Sequence, residues 1–126
     1  MHVELKKNML QAVNNFLMEM NLAGKVSRAR MKLVKAVDEA LIELQEDVKS
    51  IHKEHGDDEA SRKADIEELL KEVAVIDVTR HERLINELYL FLDTYDVEMD
   101  GKDGWVHDEL LDAIELAQEK ENGDDE

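Results

Sequence analysis

Cysteine and proline are absent from this 126-residue chain, and glycine and aromatic residues number five each. Without cysteine there can be no disulfide, no thiolate nucleophile and no cysteine-based zinc site, so packing alone must hold the fold. Without proline, and with glycine this sparse, long stretches are free to be helical. No apolar run approaches the roughly 20 residues of a membrane span, and Met1 to Leu10 lacks the apolar stretch of a signal peptide. The expectation is a soluble, cytoplasmic protein of one domain over residues 1–120. Its 43% apolar residues are enough for a single core. Gly-rich phosphate loops, nucleophile elbows and dinucleotide fingerprints are missing as well, and the reading is therefore a non-enzyme without a cofactor.

What the chain does have is acid, unevenly placed. Residues 1–35 hold seven Lys or Arg against two acids, and residues 36–126 hold nine against thirty. The net of −16 is thus +5 followed by −21. Such a surplus disfavours nucleic acid and acidic membranes and raises the encounter rate with a basic protein surface.

Hydrophobic spacing predicts mainly α structure. His2 to Lys6 alternates as a short strand would, and Asn8 reads as the cap of a first helix carrying Met9, Leu10, Val13, Phe16, Leu17 and Met20. Ser27 reads as the cap of the longest helix, with Val34, Val37, Leu41, Leu44, Val48 and Ile51 on a three-four seam and Gly56 as its stop. Asp57, Asp58 and Glu59 suit the start of a third helix, buried through Ile66, Leu69, Leu70 and Val73. Val73 to Val78 is the one β-branched cluster and could pair with Val3 to Leu5. Thr79 and Glu82 form a capping box before a helix bearing Leu84, Ile85, Leu88, Phe91, Leu92 and Tyr95. A loop over Asp96 to Gly104 then leads to a last helix with Leu110, Leu111, Ile114 and Ala117 inside, and residues 121–126 read as an acidic disordered tail. The predicted fold is a single-domain helical bundle of about five helices with a long central helix, to which one short two-stranded β-ribbon could be added.

Four groups of residues bear on function. The Asp96-Val-Glu98-Met-Asp100-Gly101 run matches the opening of a calcium loop, but Asp103 stands where an apolar residue packs and His107 where a bidentate Glu is needed. An acidic turn in which Gly101 and Gly104 supply unusual backbone angles is preferred. His52 and His55, beside Glu54, Asp58 and Glu59, could face zinc, yet the metallohydrolase and di-iron spacings are both missing, and no metal site is assigned. Lys25, Arg28, Lys32 and Lys35 form a cationic stripe, read as pairing within the chain or with an acidic protein rather than with nucleic acid. Finally, Asp108, Asp112, Glu115 and Glu119, and the shorter set Glu39, Glu43 and Glu46, line helix faces at a spacing of about 5 to 6 Å that can imitate phosphates.

With its strand-then-helix start, its Gly24-Lys25-Val26-Ser27-Arg28-Ala29-Arg30-Met31-Lys32-Leu33-Val34-Lys35 block, its Glu72 to Asp77 run and its Asp96 to Glu115 stretch, the chain resembles the small uncharacterised proteins of phages and prophages of Gram-positive, especially lactic-acid, bacteria. The resemblance carries no activity or site residues. It implies a setting, inside an infected bacterium or in a virion. The function expected is inhibition or modulation of a host or defence nucleic-acid-binding protein through the two acidic rows, a form of DNA mimicry, by a monomer or homodimer. The rival expectations are a phage assembly protein that oligomerises through the Val34 to Ile51 seam, and a degenerate calcium- or zinc-binding protein.

Overall fold

A computed structural model describes residues 1–123 and shows a mainly α-helical fold, 78% helical, with a small antiparallel ribbon. The ribbon pairs β1 (His2–Lys6) with β2 (Val73–Asp77) in the register Val3↔Ile76 and Leu5↔Ala74. Alternation explains it: Val3, Leu5, Ala74 and Ile76 are buried, whereas His2, Lys6, Val73, Val75 and Asp77 face out. Backbone bonds from Lys7 N–H to the Glu72 carbonyl (2.9 Å) and from Val78 N–H to the Met1 carbonyl (3.0 Å) continue the ladder past both ends. Two strands alone would be marginal, and the helices that cover their inner face stabilise them.

The five α-helices among the described residues are α1 (Leu10–Glu19), α2 (Gly24–His55), α3 (Glu59–Lys71), α4 (Glu82–Asp93) and α5 (Gly101–Gly123). At 32 residues α2 is about 48 Å long. Its first half lies in the core, where Ala29, Leu33, Val34 and Val37 meet α1 and α4. Beyond Leu44 none of its residues is fully buried, and it pairs with α3 as a hairpin. The predicted seam is therefore satisfied within the chain: Val34, Val37 and Leu44 are buried, and Leu41, Val48 and Ile51 pack against the same core. α4 buries Ile85, Leu88 and Leu92, and α5 buries Val106, Leu110, Ile114 and Ala117.

Several local expectations are corrected. Asn8 sits in a 3₁₀ turn (Lys7–Met9) that feeds α1 without a side-chain cap. Ser27 is already inside α2, which starts at Gly24, and its hydroxyl accepts from Arg30. Arg30 in turn donates to the Leu17 and Met20 carbonyls, supplying at the end of α1 the cation that orphan carbonyls favour. Thr79 lies in a second 3₁₀ turn (Thr79–His81), where it binds Asp77 instead of forming a capping box. Val73 belongs to the ribbon and is 50% exposed. The last loop is shorter than predicted, because the Asp100 carboxylate accepts the Asp103 N–H at 2.8 Å and starts α5 at Gly101. Gly101 and Gly104 are consequently helical, and the one positive φ among the described residues is at Gly56.

The predicted tail also begins too early. α5 continues to Gly123, with Lys120 bound to Glu4 at 2.7 Å and Glu121 bound to the Met1 amine at 2.6 Å. Those contacts hold its last turns to β1, and residues 124–126 lie outside the described residues.

Candidate functional site

α5 carries two chemistries on its two sides because its apolar residues recur at three-four spacing through Val106, Leu110, Ile114 and Ala117. Opposite them the predicted acidic row is formed, with Asp108, Asp112 and Glu119 exposed. Glu115 differs. It is half-buried, and its carboxylate accepts the Tyr89 hydroxyl of α4 at 2.5 Å. That bond, followed by burial and the Glu115 charge, pushes the Tyr89 phenol up to about 12. Glu115 thus ties α5 to α4, leaving three free carboxylates in the row.

Beside that row runs a groove of about 440 Å³ between α5 and β1. Trp105 and Leu116, 56% and 46% exposed, form one wall with Ala113, and Leu5, Met9 and Val73 form the other. Glu4, Glu109 and Asp112 rim it against a single cation, Lys6. Asp112 therefore belongs to both the row and the groove. Trp105, Glu109, Asp112 and Leu116 follow each other at helical spacing, so one helix displays acid and apolar area together. The row was legible in the sequence and the groove was not. A signal for it exists, since Trp105 and Leu116 fall off the buried Val106–Ala117 stripe.

The second row is intact but separate. Glu39, Glu43 and Glu46 are exposed on α2, and Glu39 shares a hollow with Asp77 of β2, whereas α5 packs against β1. The two rows accordingly flank opposite strands of the ribbon instead of forming one continuous face. Among the described residues, Lys25 alone of the cationic stripe pairs with a carboxylate, Glu87 at 3.3 Å.

The residues weighed for metals are placed otherwise. His107 packs edge-on to Phe16, with centroids 6.1 Å apart, and its Nε2 donates to the Leu92 carbonyl at 2.7 Å, joining α1, α4 and α5. The second half of the supposed calcium loop is the first turns of α5, so the twelve-residue loop does not form. His55 pairs with Asp65 across the hairpin, His52 is exposed, and Asp58 caps α3 by accepting from Ser61. Among the described residues no three His, Asp or Glu side chains converge as a metal site would require. Compared with family models, curated proteins and solved structures, the chain finds no match.

Proposed function

We propose that this protein is a small acidic accessory protein of a phage or prophage that occupies a basic, nucleic-acid-binding surface on a host or defence protein, α5 carboxylates standing in for phosphates. The observation that supports the reading is the Asp108–Asp112–Glu119 row lying directly beside the Trp105–Leu116 groove. Carboxylates alone would give a fast, salt-sensitive encounter with little residence time. An exposed tryptophan at the edge of an apolar groove adds the kind of anchor that carries binding energy at interfaces.

The test is capture from bacterial lysate by the intact chain and by a chain carrying Asp108→Asn, Asp112→Asn and Glu119→Gln. The intact chain is expected to retain a nucleic-acid-binding protein that its own DNA or RNA displaces, and the triple variant to lose it. Retention of the same protein by both chains overturns the acidic-row mechanism. With the partner in hand, Trp105→Ala is expected to speed dissociation, and the triple variant to slow association. The reverse assignment would mean that the groove does not anchor.

A further inference from the structure

The chain has two acids for every base, yet at one place bases outnumber acids. Arg28, Lys32 and Lys35 project from α2, and the 3₁₀ turn after β2 brings Arg80 and His81 to the same side. Lys32, Lys35, Arg80 and His81 line a hollow of about 310 Å³ with Ala36, Glu39 and Asp77, and Arg28 is close enough to act on His81 electrostatically. Among the described residues none of these five basic groups makes an ion pair, whereas Lys25 and Arg83 nearby share Glu87 at 3.3 and 3.6 Å. Asp77, one of the two acids present, is already engaged by the Thr79 N–H and hydroxyl. Burial, then the charges of Lys32, Arg80, Arg28 and Lys35, hold the His81 imidazole below its ordinary value of 6.5. The bases thus crowd one another here, although the whole chain is at −16.

We infer that this hollow between α2 and the β2–α4 turn binds a compact phosphate-bearing anion with two or more phosphate groups, such as a diphosphate or a nucleoside triphosphate. Three permanent cations line the hollow against two carboxylates, with Arg28 close by, and a dense anion offsets their mutual repulsion. Arginine suits the ligand because its planar fork donates two parallel bonds to a phosphate, with lysines adding point charge. Compactness follows from the surroundings: a long polyanion would have to run over the acidic remainder of the surface, and a ligand confined to the hollow would not. Glu39 and Asp77 bound the hollow and limit the negative charge it accepts.

The experiment is calorimetric titration of the full chain with pyrophosphate, with a nucleoside triphosphate and with a 20-nucleotide single strand, at low and physiological salt. Saturable one-to-one binding of pyrophosphate or the triphosphate is expected, weakened about tenfold or more by Arg80→Gln and again by Lys32→Gln, each of which removes a charge-assisted bond. Lys102→Gln on α5 should leave it unchanged. Arg80 is exposed and Lys32 half-exposed, so both variants should fold, which circular dichroism checks. In the bound form the His81 imidazole should titrate at higher pH than in the free protein, read from its ring-proton NMR signal. Three results would each overturn the assignment: no binding of either compact anion at millimolar concentration, equal binding by the variants, or a single strand that binds far more tightly than pyrophosphate.

Discussion

Gly56 shows how one residue sets the course of the chain. It ends α2 at φ 55° and ψ −118°, a combination that side chains with a Cβ rarely adopt, and its N–H closes on the His52 carbonyl at 3.1 Å. Open space surrounds the position, so Gly56→Ala would pay in backbone strain alone. The expected loss is about 1 to 3 kcal/mol in a denaturant melt, and an unchanged midpoint would show that the turn relaxes. Tyr89 offers a spectroscopic counterpart. Its raised pKa means that the folded chain holds a proton the unfolded chain releases from pH 10 upward, so its contribution to stability is full below pH 10 and is lost as pH climbs through about 12. Ultraviolet titration should therefore show one tyrosine ionising near 12 in the native state, and Tyr89→Phe should remove that step and about 1 kcal/mol of stability. On the acid side Asp58 and Asp77, each hydrogen-bonded by the residue it caps or turns onto, are held below the ordinary 3.8. Their contributions are present above pH 3.8 and disappear as pH falls through the lower native values, so the melting temperature should drop in that window. Asp77→Asn should flatten the drop.

Among the elements, α5 was the most fully legible in its inward face and the least in its outward one. Leu110, Ile114 and Ala117 follow a period of 3.6 that needs no tertiary information, and all three are buried. Val106 joins them because Asp100 starts the helix earlier than the two glycines suggested. Truncating the stripe should be costly: Ile114→Ala is expected to lose about 2 to 5 kcal/mol as a cavity opens. Ile42→Ala, on an α2 residue that is 56% exposed, should stay within about 0.5 kcal/mol. Similar losses at both positions would mean that the core is not where burial places it. The helix starts were misjudged for one shared reason. Ser27, Asn8 and Thr79 have capping chemistry, but a cap is decided by which backbone N–H groups are left orphaned, and here 3₁₀ turns lead into α1 and α4 while α2 already begins at Gly24.

For the whole molecule the governing quantity is charge. A net of −16 spread over a small fold repels itself, and screening relieves the repulsion. Raising ionic strength from about 0.01 M to 0.15 M shortens the screening length from about 30 Å to about 8 Å, and the melting temperature should rise accordingly. A fall would mean that pairs such as Lys120–Glu4 and Glu121–Met1 outweigh the general repulsion.

Helix number, the long α2, the two strands and the inward faces were settled by the sequence itself, because periodicities of 3.6 and 2.0 are local properties of the chain. The amphipathic α5 and the acidic composition were settled in the same way. Only the tertiary structure decided which charges meet. It set Glu115 under Tyr89, put β1 beside Trp105 and Leu116, separated the Glu39 row from the Asp108 row, and carried Arg80 and His81 to Lys32 and Lys35. Residues 26 or more positions apart are brought together by how the ribbon and the α2–α3 hairpin turn the chain, and no spacing in the sequence encodes that meeting.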